Sequence, residues 1–256
     1  MLRFASLASG SAGNALVVES GPTRVLIDCG LSPRRVESGL ARLGLAPGDI
    51  DAILVTHEHD DHIGGVAAFA RRHGTRVFLT WGTARASGLD GLGLPLDLID
   101  SHSPFVLGDL EVHPVPVPHD AREPVQYVLS DGVLRMGVLT DIGTPTPHVQ
   151  AAYGGLSALL LECNHDVAML AGGPYPAWLK ERVGGAMGHL SNRQAAAFLD
   201  AIDRSALQHV VAAHLSASNN TPSLARAALA AVLDCAPDGI EVADQKTGLD
   251  WRAVHT

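Results

Sequence analysis

Residues 50–62 read IDAILVTHEHDDH, an apolar run from Ile50 to Thr56 that delivers His57, Glu58, His59, Asp60, Asp61 and His62. The run predicts a buried strand. At its exit His57 and His59 project the same way, because side chains on an extended chain repeat every two residues. The turn into the following helix brings Asp61 and His62 back towards the same point. Three imidazoles and a carboxylate suit Zn²⁺, and also Mn²⁺ or Fe²⁺. Three His and two Asp in six residues, directly after an apolar strand, are a poor match for an incidental polar loop.

Working outward, the N-terminal side reads as strands over Arg3–Ala8, Ala15–Glu19 and Thr23–Asp28, then a helix from Pro33 with Ser32 as cap and Gly44 as stop. On the C-terminal side Ile63, Val66, Ala67, Phe69 and Ala70 have helical spacing closed by Gly74, and Arg76–Thr80 reads as a strand. Residues 97–130 are strand-like and broken by prolines. Asp131-Gly132 between Tyr127–Ser130 and Val133–Thr140 predicts a hairpin with a type I′ turn. Leu156–Glu162 and His209–Ala213 read as buried strands, with helices near 191–203 and 222–234 and closing strands near 239–243 and 249–253. Strands and helices recur in both halves, so a layered α/β sandwich with mixed sheets in one domain, residues 1–256, is the natural solution.

The 256 residues are 46% hydrophobic and only 4% aromatic, enough for a core built mainly from Ala, Val, Leu and Ile. No apolar run approaches the ~18 residues of a membrane span, and MLRFASLASGSAGN makes a better first strand than a signal peptide. Cys29, Cys163 and Cys235 are odd in number and far apart, which favours a reducing cytoplasm over a disulfide framework. Net charge is −9, which opposes a broad nucleic-acid-binding surface without excluding a small basic groove. Arg34, Arg35, Arg71, Arg72, Arg76 and Arg85 offer a local patch, or simply a solvated face. Thirteen histidines are the anomaly.

H-x-H-x-D-H after a buried strand resembles the metallo-β-lactamase superfamily, whose fold is a four-layer αββα sandwich with metals at one edge. The resemblance implies one more His, a bridging Asp and a final His, each at a strand end. His119 in VPVPHD, Asp141 in VLTDIG and His214 in VVAAHLS stand at those places. His113 and His102 compete with His119. By this similarity His57, His59 and His119 hold one metal, Asp61, His62 and His214 the other, and Asp141 bridges. Asp28, ending VLID, matches a position that supports the metal loop through hydrogen bonds. Two divalent ions are implied, Zn²⁺ first among the candidates, with Mn²⁺ or Fe²⁺ next.

The words LASGSAGNA, LECNHD, GPYP, GHLSN and AHLSASNNTP narrow the resemblance to the YycJ (WalJ) branch, which is similar to ribonuclease Z and PhnP-type phosphodiesterases. In that group a His before a helix, apart from the ligands, contacts the scissile phosphate or protonates the leaving oxygen. His189 in GHLSN matches it; the competing reading makes it a neighbour of a Ser191 cap. His165 in NHD is a second candidate to face the cleft. Ser9–Asn14, with Ser11 and Asn14, could meet a phosphate through backbone N–H groups or be a plain hairpin turn.

These readings imply a metal-dependent hydrolase, foremost a phosphodiesterase or exonuclease acting on DNA or RNA, with Asp61 and His189 catalytic. The acidic balance keeps a small-molecule phosphodiesterase in view. Thioester, lactone or β-lactam hydrolysis ranks lower, because it does not call for GHLSN. A non-enzymatic metal module would need a missing ligand, and redox use of the fold would need a flavin domain. Nucleic acid or a small phosphodiester is the expected partner, with no membrane role and with oligomeric state open, a homodimer included. Cys163 reads as a small buried thiol.

Overall fold

The computed structural model describes all 256 residues. Strands β1 (Leu2–Ala8), β2 (Ala15–Ser20), β3 (Thr23–Ile27), β4 (Ala52–Leu54), β5 (Arg76–Thr80) and β6 (Leu96–Ile99) form one sheet. A second sheet contains β7 (Phe105–Leu107), β8 (Leu110–Pro116), β9 (Val125–Ser130), β10 (Arg135–Leu139), β11 (Ala158–Glu162), β12 (His209–Ala213) and β13 (Glu241–Val242). The last strand, β14 (Leu249–Val254), returns to the first sheet beside β1. Each sheet therefore has seven strands, ordered β14-β1-β2-β3-β4-β5-β6 and β13-β12-β11-β10-β9-β8-β7. The helices are α1 (Pro33–Arg42), α2 (Asp60–Ile63), α3 (Val66–His73), α4 (Trp81–Ser87), α5 (Pro147–Ala152), α6 (Val167–Gly172), α7 (Ala177–Val183), α8 (Asn192–Ala201) and α9 (Pro222–Leu233).

Three buried clusters fill three interlayer spaces. Val25, Ile27 and Leu54 of the first sheet meet Tyr127, Leu129 and Val138 of the second. Leu26 and Ile53 point the other way, into Val36, Leu40, Val66 and Phe69 of α1 and α3. Leu159 and Leu161 pack on Tyr153, Phe198 and Leu229 beneath α8 and α9. Neighbours on one strand thus enter different clusters, as the pleat requires. Strands covered on both faces read as unbroken apolar runs. The order helix, sheet, sheet, helix is the four-layer αββα sandwich.

Strands β3 to β6 run parallel, as do β10 to β13. Parallel strands place their C-terminal ends along one edge, where an α/β sheet opens a crevice. Tyr127 on β9 joins the sheets there, its OH donating to Val55 O at 2.8 Å.

Several local expectations shift. The strand expected over Ile50–Thr56 is only Ala52–Leu54, because the Thr56 N–H and hydroxyl turn to the Asp28 carboxylate. His57 and His59 therefore meet through a loop after the strand, not through strand periodicity. The helix expected up to Gly74 is broken at Gly64-Gly65. The Gly65 N–H donates to Cys29 O, and a Cβ there would stand 1.9 Å from Leu31 O. The Asp131-Gly132 hairpin forms, but Ser130 pairs with Arg135 across a four-residue loop. Asp131 Oδ1 accepts from Val133 and Leu134 N–H, and only Gly132 of the pair has positive φ, so the turn is not type I′. Helices α4 to α7 lie where no helix was expected; α6 and α7 are too short to show a period.

Candidate metal centre

Six strand ends supply the site. Asp28 follows β3, His57–His62 follow β4, His119 follows β8, Asp141 follows β10, Glu162 ends β11, and His214 follows β12. Asp28, Asp141 and His214 adopt φ of 60°, 52° and 54°, and only Asp234 shares this left-handed backbone among non-glycine residues. Held in a sparsely populated conformation, these three carry strain of the kind found at functional sites.

On one side of the cluster, His57 Nε2 and His59 Nδ1 lie 3.0 Å apart, and His119 Nε2 lies 3.3 Å from the same His59 nitrogen. On the other, Asp61 Oδ2 stands 3.3 Å from His62 Nε2 and 3.2 Å from His214 Nε2. Asp141 sits between them, Oδ2 2.9 Å from His62 Nε2 and Oδ1 4.0 Å from His119 Nε2. The donor atoms of His57, His59 and His119, and those of Asp61, His62 and His214, fall within 4.8 Å of one another in each group.

The arrangement fits divalent cations. Three ring nitrogens, with neighbours 3.0–3.3 Å apart, gather around one point, as ligands of a common cation do. Asp141 Oδ2, though 2.9 Å from His62 Nε2, lies off the angle of a hydrogen bond and is buried without a partner. Burial would raise the Asp141 carboxyl, yet His214 and His62 hold it well below the usual range. Burial depresses His214, but Asp141 with Asp61 and Glu162 overcomes this and pushes it up to about 9. His57 is driven down by burial and by the His62 charge. Imidazoles facing the carboxylates hold protons that cations would displace on binding.

A supporting layer aims these groups. Asp28 Oδ2 lies 2.7 Å from His62 Nδ1, and Oδ1 accepts the Thr56 N–H at 2.8 Å. Asn14 is buried, and its Nδ2 donates to Asp61 Oδ2 at 3.2 Å. The N–H groups of Gly10, Ala12, Gly13 and Asn14 are taken by Asn14 Oδ1, Gln245, Gly10 and Asp61, so the loop is not an open phosphate cradle. Ser11 does line the cleft. His165 is buried with Nδ1 unpartnered and does not line the cleft. His113 lies within β8 beside Glu111 and His102 in the turn after β6, so neither joins the cluster.

His189 is brought to the cluster, and Ser191 caps α8 beside it by accepting the Gln194 N–H, so the cap forms and His189 lines the cleft as well. Glu162, Asp120 and Arg182 escaped the reading. Glu162 ends the apolar run LLLE as Asp28 ends VLID, and that parallel was the available signal. Its Oε1 lies 2.8 Å from His189 Nδ1 and its Oε2 accepts Leu190 N–H at 3.0 Å. Burial raises its carboxyl, but His189 draws it down to about 2. The arginine patch does not assemble: Arg72, Arg76 and Arg85 pair with Glu37, Asp97 and Asp90. Cys163 is buried, and that burial pushes its thiol pKa up, as for an inert core thiol.

The family model of the metallo-beta-lactamase superfamily matches residues 8–155, which include every residue of the β3, β4, β8 and β10 strand ends. The chain belongs to the metallo-β-lactamase superfamily. Membership carries the fold, the hydrolase class and a need for divalent metal. The chain is similar to the exodeoxyribonuclease YycJ of Bacillus anthracis, 35% identical over 91% of this chain and 89% of the relative. It is also 32% identical to the exodeoxyribonuclease WalJ of Streptococcus pneumoniae, over 99% of this chain and 94% of that one. The metallo-beta-lactamase fold protein YhfI from Bacillus subtilis superposes with a TM-score of 0.76 over 99% of this chain and all of the other, at 14% identity, a likeness of fold. No helix is long and apolar enough to cross a membrane.

Proposed function

We propose that this chain is a metal-dependent phosphodiesterase, an exonuclease that cleaves DNA, acting as one domain in the cytoplasm. The observation that carries the reading is the Glu162–His189 pair beside the metal cluster. Asp141, Glu162, His189 and His214 are also close enough to share a cation. With His57, His59 and His119 on one ion and Asp61, His62 and His214 on the other, however, His189 is left over as an imidazole of the kind a phosphodiester needs and an activated acyl substrate does not. The exonuclease names of the two relatives point the same way, and the three free cysteines suit a reducing cytoplasm.

His57, His59 and His119 would hold one ion, Asp61, His62 and His214 the other, and Asp141 would face both. Zn²⁺ leads, with Mn²⁺ or Fe²⁺ next. When bound, two such ions activate water and offset charge developing on phosphorus. Asp61, partly exposed at the cleft, orients the attacking oxygen. His189 donates Nδ1–H to Glu162, which leaves Nε2 as the atom presented to the departing alkoxide, and a proton there assists its exit. Asp28 and Asn14 keep His62 and Asp61 aimed.

The cleft of about 300 Å³ contains one arginine, Arg182, and no lysine. With a net charge of −9 this favours a small phosphodiester as the second reading. Hydrolysis of bis-p-nitrophenyl phosphate and of labelled duplex DNA, after Mn²⁺ or Zn²⁺ is restored to stripped protein, separates the two. Cleavage of both supports the exonuclease, cleavage of the small ester alone supports the second reading, and cleavage of neither overturns both.

A further inference from the structure

We propose that Arg182, at the end of α7, grips the DNA phosphate adjoining the scissile one and so makes the site prefer a polynucleotide strand over a small diester. The inference rests on the nuclease reading above.

Arg182 is the only permanent cation among the residues lining the cleft, in a wall that also carries Asp61, Asp120 and Asp141. An anionic polymer must find its second positive contact somewhere beyond the metal cluster, and no other arginine or lysine lines the cleft. Arg182 is placed for it. Its Nε donates to Asp120 Oδ2 at 2.5 Å, while the other oxygen of that carboxylate lies 3.4 Å from His119 Nε2 and 3.9 Å from His59 Nε2. One carboxylate therefore separates the guanidinium from the imidazole group.

The segment bearing Arg182 is anchored to the catalytic side. His189 N–H donates to Val183 O at 2.8 Å, and Asp120 N–H to Met187 O at 3.0 Å. Gly188 allows this closeness, since a Cβ there would stand 2.2 Å from Arg182 O. The backbone is fixed while the side chain remains 54% exposed and free to turn. An exposed ion pair contributes little to folding, so the guanidinium can leave Asp120 at small cost. A planar guanidinium then meets phosphate through two parallel hydrogen bonds, which an ammonium cannot match. Tyr175 and Leu179, on the same wall, leave apolar surface beside it for sugar and base.

The test uses Arg182→Gln, Arg182→Lys and, as a charge control on the same helix outside the cleft, Lys180→Gln. Anisotropy of a fluorescein-labelled single-stranded oligodeoxynucleotide is followed on chelator-treated protein across salt concentrations. Turnover of DNA and bis-p-nitrophenyl phosphate is followed on metal-loaded protein, with bound metal assayed. Arg182→Gln should raise Kd about tenfold and flatten the log–log salt slope by about one. Its DNA kcat/KM should fall more steeply than that for the small ester. Arg182→Lys should recover part of the loss, and Lys180→Gln should bind like the wild type. Wild-type binding by Arg182→Gln overturns the inference and leaves the nuclease reading standing. Loss of metal in that variant also overturns it, making Arg182 a support for Asp120. A wild-type protein that cleaves the small ester and neither binds nor cleaves DNA overturns both readings together.

Discussion

Glu162 Oε1 lies 2.8 Å from His189 Nδ1, while its second oxygen accepts the N–H groups of Ile142 and Leu190 at 3.2 and 3.0 Å. A fully buried carboxylate with all its acceptors engaged fixes both the ring plane of His189 and the nitrogen it presents. Glu162→Gln keeps the shape and removes the charge. Turnover of DNA should drop about 10²-fold with metal content unchanged. Bis-p-nitrophenyl phosphate should suffer less, because p-nitrophenolate departs without a proton. Equal losses on both substrates would remove the leaving-group role, and loss of metal would make Glu162 a ligand.

Asp61 and His214 share the Asp61 Oδ2–His214 Nε2 contact of 3.2 Å. Asp61→Ala should abolish hydrolysis and lower metal content, and His214→Ala should deplete one ion of the pair. Elemental analysis of purified variants beside activity checks this. Full activity in Asp61→Ala would sink the two-ion assignment, and an unchanged metal count in His214→Ala would move that ligand elsewhere, with His189 next to test.

Gly30 packs so tightly on the metal loop that an added Cβ would stand 1.8 Å from Asp61 O. Backbone is the obstacle, so no side-chain rotation relieves it. Gly30→Ala should cost about 2–4 kcal/mol and weaken metal retention. Gly48→Ala, in open space, should stay within about 0.5 kcal/mol of the wild type. Urea melts with and without metal decide it, and a Gly30→Ala protein as stable as the control would disprove the packing argument.

Glu19 on β2 lies between Arg3 on β1 and Arg24 on β3, at 2.6 and 2.5 Å. Burial raises its carboxyl, but hydrogen bonds from the two arginines outweigh this and leave the pKa below its ordinary value. A carboxyl depressed in the folded state stabilises the fold above its unfolded pKa. That contribution fades as pH falls through the unfolded value towards the folded one. Glu19→Gln should therefore cost stability at pH 7 and less at pH 3. The same penalty at both pH values in urea unfolding would show that its charge is not what matters.

Reading the chain alone located much of this. An apolar run ending in HEHDDH is local in sequence, and so are VLID and VLTDIG, each a strand closing on a carboxylate. Their side chains are set by the strand that precedes them. The element types also followed from apolar spacing, and the sandwich from their alternation. Helices α4 to α7 were illegible because six or seven residues hold fewer than two turns, too few for a period to show.

What the sequence determined by itself was a set of His and Asp side chains of ligand type, each placed at the end of a strand. The tertiary structure alone decided which of them meet. Glu162 looked like the last residue of a core strand until β11, lying between β10 and β12, put its carboxylate against His189 and His214. Asn14 looked like part of a turn and became the support of Asp61, forty-seven residues away. Arg182 and Asp120 are sixty-two residues apart and meet across the cleft. Such pairings depend on strand order and on how closely backbones approach at Gly30, Gly65 and Gly188, and no local pattern of side chains encodes those distances.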